Sequence, residues 1–280
     1  EWAYYTKDGQ KHLVDKNDFS ITIGEEKIIF DGVFIAIHGT PGEDGKLQGY
    51  LDMLGIPYTG SGQVVSALTF DKYFCSRVVA SLGVAIAPSA LIRRGGHIDT
   101  DHITGITSLP CFVKPNRGGS SVGMTKVREP EELVPAIEKA FREDEQVLVE
   151  AFIPGTEITC GVLTIGGRVK SLPLTEIVSK NEFFDYEAKY TDGMADEITP
   201  ARIPSGIEKQ CRSLSETLYT SIGCRGFVRF DYIFNEKGMY FLEVNTVPGL
   251  SPNSILPQQA SAEGISLQEL FTAALRQVIH

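Results

Sequence analysis

Alternation of apolar and polar positions is clearest at residues 229 to 245, Arg-Phe-Asp-Tyr-Ile-Phe-Asn-Glu-Lys-Gly-Met-Tyr-Phe-Leu-Glu-Val-Asn. Two aromatic-rich runs of period two flank Asn235, Glu236, Lys237 and Gly238, a pattern that predicts a β-hairpin. A nearly continuous apolar run from Ile28 to Ile37 predicts a strand buried on both faces, ending in the glycine-rich stretch 38 to 45. Gln48 to Leu54 reads as a short helix stopped by Gly55, and Ile56 to Gly60 crosses out of this first unit. Asp71 is an N-cap for a helix from Lys72 to Leu82, with Gly83 as its stop. Leu109 to Lys114 and Gln146 to Ile153 read as strands, the second ended by Pro154 and Gly155. Between them Pro130, Glu131 and Glu132 open a helix with Leu133, Ile137 and Phe141 on one face. The chain starts on strand-like residues, Glu1 to Tyr5, without an initiator methionine, so upstream residues are expected to be missing from it.

Period two puts Arg229 and Asp231 on one face of the first hairpin strand, and Glu243 and Asn245 on one face of the second. A single antiparallel register pairs Asp231 with Glu243 and Arg229 with Asn245. Two carboxylates, an amide and an arginine then share a patch whose hard oxygens suit Mg²⁺ bound together with a phosphate, the arginine offering a fork to phosphate oxygens. A half-exposed sheet facing water has the same pattern. Beyond Asn245, the breaker-rich stretch Thr246 to Pro252 makes a loop where a substrate can be held.

Other segments carry weaker signals. The loop 38 to 45 lies where open α/β sheets place ligands, although His38 in such a loop also serves as a plain helix cap. Lys72, in a first helical turn, opposes the helix dipole. Lys114 leads into Asn116-Arg117-Gly118-Gly119-Ser120-Ser121-Val122-Gly123, a flexible loop whose N–H groups and hydroxyls can close over a triphosphate; the GxxxxGK[ST] P-loop pattern is absent. Free backbone groups after the strand at 146 to 153 can bond an adenine edge and Glu157 a ribose, or the segment is simply a crossover. Residues 180 to 197 are polar, aromatic and aperiodic, as in a lid or an ordinary surface loop.

Composition narrows the class. With 280 residues, 42% hydrophobic and 22% charged, the chain is an ordinary globular one with room for two or three packed units. A net charge of −10 argues against a nucleic-acid surface, so anionic ligands must be met by local lysines and arginines. Cys75, Cys111, Cys160, Cys211 and Cys224 are odd in number and lack a CxxC pair, which points to reduced thiols rather than disulfides or zinc. Without a long apolar run or a signal peptide, the expectation is a cytoplasmic protein with no membrane attachment.

Five motifs occur in a telling order: His-Gly-Thr-Pro-Gly-Glu-Asp-Gly (38 to 45), Lys-Pro-Asn-Arg-Gly-Gly-Ser-Ser-Val-Gly-Met (114 to 124), Phe-Asp-Tyr-Glu-Ala-Lys-Tyr (184 to 190), Gly-Phe-Val-Arg-Phe-Asp-Tyr (226 to 232) and Glu-Val-Asn-Thr-Val-Pro-Gly-Leu (243 to 250). From about residue 30 to its end the chain resembles the D-alanine–D-alanine ligases of the ATP-grasp superfamily.

The resemblance implies a mixed α/β and α+β chain with the ATP-grasp fold. Residues 1–60 would form an N-terminal α/β domain lacking its upstream part, 61–150 the central ATP-grasp subdomain, and 151–280 the C-terminal one with a lid loop at 180–197. It implies that Lys72, Lys114 and Lys189 contact phosphates, that Ser120 and Ser121 close over the triphosphate, and that Glu150, Ala151, Phe152, Ile153 and Glu157 hold adenine and ribose. Asp231, Glu243 and Asn245 would hold two Mg²⁺ ions, with Mn²⁺ as a substitute. Arg229 would face the transferring phosphoryl group, and Arg229 with the Gly249 N–H the oxyanion. His38 would lie by the first D-alanine, and Ser254 with Lys189 by the second substrate's carboxylate. Tyr190 goes with D-alanine as that second substrate. The implied reaction joins two D-alanines through D-alanyl phosphate at the expense of ATP, for peptidoglycan precursors, in a cytoplasmic homodimer. A D-alanine–D-lactate ligase, another ATP-grasp carboxylate–amine ligase and a non-catalytic nucleotide-binding module are the alternatives. The family's upstream glutamate for the first D-alanine's ammonium lies outside these 280 residues.

Overall fold

The computed structural model describes residues 1–119, 121–179 and 195–279. Ser120, Lys189, Tyr190 and the expected lid up to residue 194 lie outside the described residues. The N-terminal segment makes two short hairpins, β1 (Ala3–Tyr5) with β2 (Lys11–Leu13) and β3 (Ile21–Ile23) with β4 (Glu26–Ile28). Behind them α1 (Lys46–Leu54) buries Leu47 and Leu51 against Ile35, Tyr58 and Val247. Gly55, in the left-handed region at φ 68°, ends α1 by returning its N–H to the helix carbonyls.

The strand expected from Ile28 to Ile37 does not form. Ile28 ends β4 opposite Ile21; beyond it, among the described residues, only Val33 pairs, as an isolated parallel bridge to Tyr58, and while Ile35 is buried, Ile29 and Ile37 are 71% and 47% exposed. An apolar run becomes a buried strand only where both its edges find partners, and among the described residues this one finds a single edge.

Two sheets face the site. In the central sheet β6 (Ser89–Arg93), β9 (Gln146–Ala151), β7 (Cys111–Pro115) and β8 (Thr125–Val127) lie in that order, all antiparallel. Helices α4 (Thr100–Thr107) and α5 (Leu133–Ala140) cover one face, where Ile103, Val113, Leu133, Ile137, Val147 and Val149 form the core. Alternation turns Phe112, Lys114, Leu148 and Glu150 to the opposite face.

The C-terminal sheet runs β13 (Ala195–Ile198), β12 (Thr175–Ser179), β10 (Thr156–Ile165), β14 (Phe227–Asn235), β15 (Gly238–Asn245) and β5 (Ala85–Ile86), with β11 (Arg168–Ser171) also on β10. Helices α2 (Gln63–Phe70) and α3 (Lys72–Ser81) lead into it, and α6 (Ser205–Ile222) lies against the same core as α3, which includes Cys75, Val79, Ile158, Leu218, Phe230, Tyr232 and Phe241. On the other face α7 (Ile255–Ala262) and α8 (Leu267–Leu275) pack on Leu163, Leu172 and Phe227. Within the expected unit 61–150, α3 and β5 pack with the C-terminal sheet and its core rather than with the central sheet. The last residues of the expected lid, 195–197, are corrected to strand, because they pair with β12 and satisfy its outer edge. All five cysteines are buried and without disulfides, and among the described residues no helix is long and apolar enough to cross a membrane.

Candidate active site

The hairpin takes the expected register at its functional end, Arg229 opposite Asn245 and Asp231 opposite Glu243. One residue further the register slips, Tyr232 pairing with Phe241, so a bulge at Leu242 reconciles the site with a tight turn in which Asn235 pairs with Gly238. Asp231 is buried, and Arg229 grips it with two parallel bonds, Nε to Oδ1 and Nη2 to Oδ2, both 2.8 Å. Asn245 Nδ2 donates to the same Oδ2 at 3.2 Å, which leaves the amide oxygen of Asn245 directed elsewhere. Burial works against the Arg229 charge, but Asp231, then Glu243 and Glu157, more than offset it and raise its pKa.

Two lysines reach this patch from other elements. Asp71 caps α3 by accepting from the Phe74 N–H, which sets Lys72 in the first turn. The buried Asn116, just after β7, accepts the Tyr73 N–H at 2.9 Å on Oδ1 and the Lys72 N–H at 3.1 Å on its carbonyl. Lys72 Nζ then donates to the Gly118 carbonyl and lies 3.8 Å from Glu243. Helix start and glycine-rich loop are thus tied together beside the hairpin. On β7, Lys114 Nζ is 2.6 Å from Glu150 Oε2. Burial disfavours its charge, yet Glu150, with Glu243 and Glu157 farther off, raises the Lys114 pKa overall.

The loop after residue 37 completes the patch. Glu43 accepts the Gly39 N–H, and burial holds its carboxyl above the ordinary range of about 4.5 despite that bond and the nearby His38; Glu243 adds to the rise and Lys72 opposes it. His38 is exposed beside it. Among the described residues, Glu43, Glu150, Glu157, Asp231 and Glu243 thus surround Lys72, Lys114 and Arg229.

Comparison with known proteins decides the family. A model described as the D-ala D-ala ligase C-terminus matches residues 78–276, and one described as the D-ala D-ala ligase N-terminus matches residues 4–61. The chain is 47% identical over 272 residues to the D-alanine–D-alanine ligase of Bacteroides fragilis, covering 97% of this chain and 84% of that one. It is 46% identical over 275 residues to that of Flavobacterium johnsoniae, covering 98% and 85%. The chain belongs to the D-alanine–D-alanine ligase family. Among solved structures, the D-Ala:D-Ser ligase VanG of Enterococcus faecalis superposes with a TM-score of 0.88 at 33% identity, covering 99% of this chain and 86% of that one. The D-alanine–D-alanine ligase of Bacillus anthracis complexed with ATP gives 0.76 at 30% identity, covering 88% and 78%. The ATP-grasp architecture of the D-alanine–D-alanine ligase family accounts for the two facing sheets.

Within that architecture the remaining expected residues fall into two groups. Gly249 sits against the N-cap of α7: a Cβ there would lie 2.7 Å from Ser254 Oγ, which bonds Ser251 Oγ at 2.8 Å, so a side chain at 249 would displace the Ser254 hydroxyl. Glu150, Ala151, Phe152 and Ile153 close β9, but the N–H groups of Ala151 and Phe152 already serve the carbonyls of Pro88 and Pro110. Among the described residues the offer to an adenine edge narrows to the Ile153 N–H and the carbonyl oxygens. Glu157 stands on the site face of β10, between Ile177 on β12 and Ile233 on β14. Ser121 is described, with a positive φ of 56°, whereas Ser120, Lys189 and Tyr190 lie outside the described residues.

The sequence reading missed several participants. Phe112, which was not expected, meets the expected Phe152 edge to face at 5.9 Å, with Lys126 Nζ 3.8 Å over the Phe152 ring, forming an apolar wall beside Glu150. Phe112 was accessible to reasoning, because it is two residues before Lys114 and must share its face. Glu43 lies in the glycine-rich stretch 38 to 45, where no role was expected of it. Asn116 sat in the glycine-rich loop without an assigned task. Glu197, whose carboxyl is raised by its burial and lowered by Arg229, was hidden in the expected lid.

Proposed function

We propose that the chain joins two molecules of D-alanine into D-alanyl-D-alanine, with ATP cleaved to ADP and phosphate. A carboxylate is a poor acylating agent, so its oxygen first attacks the γ-phosphorus in line, the bond to ADP breaks, and D-alanyl phosphate forms. The second amine then attacks the acyl carbon, phosphate leaves, and the amide remains. Lys72, from α3, and Lys114, from β7, reach the patch and would hold phosphate oxygens in that line. Arg229 is fixed by Asp231, so its guanidinium is oriented before substrate arrives and faces charge on the phosphoryl group and, with the Gly249 N–H, on the tetrahedral oxyanion. Ser254, at the N-terminus of α7, suits the carboxylate of the second D-alanine. His38 and Glu43 border the first, and Ser120, Ser121, Lys189 and Tyr190 carry the roles the family resemblance implies.

Asp231, Glu243 and Asn245 offer three hard oxygen donors on adjacent strands of one face, and no thiol or imidazole, which fits Mg²⁺ or Mn²⁺. Bound there, two such ions would neutralise the charge gathering between the β- and γ-phosphates. A patch holding more carboxylates than cations needs such neutralisation to accept a triphosphate.

The convergence of Arg229, Asp231, Glu243 and Asn245 with Lys72 and Lys114, brought from three separate segments, supports this reading most directly. We place the protein in the cytoplasm, where ATP is supplied, as a homodimer serving peptidoglycan precursor synthesis. Coupled ADP release with D-alanine alone, and with D-lactate or D-serine added as rival acceptors, tests the assignment. Dipeptide as the dominant product supports it; ester or mixed dipeptide dominance replaces the acceptor, and ADP release independent of D-alanine removes the reading.

A further inference from the structure

The side chain of Gln259 is fully buried on α7, among Ile255, Leu256 and Ala260. An amide on so apolar a face needs partners, and it has three. Its Oε1 accepts the Gly161 N–H at 2.9 Å, and its Nε2 donates to the Thr159 carbonyl at 2.9 Å and to Thr175 Oγ1 at 3.0 Å. The orientation of the amide is fixed by chemistry, since a backbone N–H can meet only the oxygen and a backbone carbonyl only the nitrogen.

The position of these bonds gives them meaning. Along one edge of β10, β12 pairs with residues 157–159 and β11 with 162–165, so the sheet has a gap between them. Gln259 fills that gap together with the Leu172 N–H, which bonds the Gly161 carbonyl at 2.8 Å. On the opposite edge of β10, Thr159 pairs with Asp231 and Gly161 with Arg229. The helix is thus bolted one strand away from Arg229, which faces the phosphoryl group, and from Asp231, which holds Arg229 in place. At Gly161 the approach is so close that a Cβ would lie 2.5 Å from Leu256 and 2.6 Å from Gln259 Oε1. Five residues before Gln259, at the N-cap of the same helix, stands Ser254 against Gly249. The network extends through Thr175 to Thr199, whose hydroxyls are 2.6 Å apart.

We infer that Gln259 is a positioning residue for the second amino acid: its three bonds to β10 and β12 set the distance between the α7 N-terminus, which holds the acceptor's carboxylate, and Arg229, where the acyl phosphate is attacked. The inference rests on the ligase reading above. It makes the two halves of the reaction separable, because forming the acyl phosphate needs the hairpin and the lysines but not α7, whereas the attack by the second amine needs α7 held in register. A displacement of about 1 Å is enough to cost such a step on the order of 100-fold.

The test uses the full chain with Gln259→Leu, and Thr175→Val as the milder variant that removes one of the three bonds to Gln259 together with the Thr175–Thr199 hydroxyl contact. Acyl phosphate formation is read by trapping with excess hydroxylamine at saturating ATP and at D-alanine concentrations too low to fill the acceptor site, and dipeptide formation is read as a function of D-alanine. For Gln259→Leu the hydroxamate rate should stay within about twofold of wild type while the KM for the second D-alanine rises about tenfold or more; Thr175→Val should shift the same KM by a few-fold. A parallel fall of hydroxamate and dipeptide, or an unchanged acceptor KM, overturns the inference. If Gln259→Leu does not fold, the Thr175→Val result decides alone. Wild-type protein that forms no hydroxamate from D-alanine and ATP would instead remove the ligase reading, so the two failures are distinguishable.

Discussion

Replacing Lys114 by methionine separates what that lysine does for the fold from what it does for ATP. Its Nζ lies 2.6 Å from Glu150 Oε2, and the two side chains are only 17% and 8% exposed. Removing the ammonium leaves a carboxylate in a place with little water. Unpairing a buried ion pair costs about 3–5 kcal/mol, and the remaining access of Glu150 to the cleft puts this case near the lower end, about 3 kcal/mol. For a chain of this size that is a fall of roughly 6–12 °C in thermal midpoint. Adding Glu150→Leu removes the orphaned charge, and the double variant should recover to within about 1 kcal/mol of wild type. Affinity for ATP should not recover with it, since a charge-assisted bond to phosphate worth about 2 kcal/mol stays lost, roughly 30-fold in the ATP KM. Thermal melts and coupled ADP release at saturating D-alanine give both quantities. A double variant that regains ATP affinity together with its midpoint would refute a direct phosphate contact, and an unchanged midpoint in Lys114→Met would refute the burial argument.

Two further outcomes follow from the geometry. Burial raises the Glu43 carboxyl above about 4.5, so the folded state favours its protonated form; its contribution to stability is complete below 4.5 and declines as pH rises through the raised value. Glu43→Gln should therefore gain stability relative to wild type as pH rises from 4.5, and a flat or opposite difference in melting curves contradicts this. Gly226 has a φ of 69°, and a Cβ there would stand 2.9 Å from Gly60 Cα and 3.0 Å from Gly60 N. Because backbone cannot yield as a side chain does, Gly226→Ala should cost about 3 kcal/mol in urea unfolding, and an unshifted midpoint would show that the two segments are not in contact.

Local chemistry made part of this molecule readable from its residues. Asp71 as a cap and Gly55 as a stop act within one turn of chain, and both appear as expected. The register of Arg229, Asp231, Glu243 and Asn245 was readable because four polar residues on two alternating strands admit one pairing that unites them. The bulge was only half readable. A turn closing Asn235 onto Gly238 and a site closing Asp231 onto Glu243 differ by one residue, so a slip is required between them, but periodicity does not say that Leu242 absorbs it. The run from Ile28 to Ile37 misled, because hydrophobicity reports burial and not how many strands stand alongside. Gln259 was invisible for the opposite reason: its partners lie about a hundred residues away, in a gap between two strands that no local pattern marks.

The central claim is that the hairpin patch binds a divalent cation and phosphate for a D-alanine-dependent reaction, and Glu243 is its cleanest probe. Asp231→Asn also strips Arg229 of its buried partner and confuses stability with chemistry, whereas Glu243 keeps a 30% exposed side chain and stands 3.8 Å from Lys72. The decisive measurement is Mg²⁺-dependent ADP release with D-alanine for wild type and Glu243→Gln, alongside their thermal midpoints. The account predicts ADP release by wild type only when D-alanine is present, a loss on the order of 100-fold in Glu243→Gln, and midpoints within about 4 °C of each other. ADP release that ignores D-alanine, or a Glu243→Gln variant with full turnover, would contradict it.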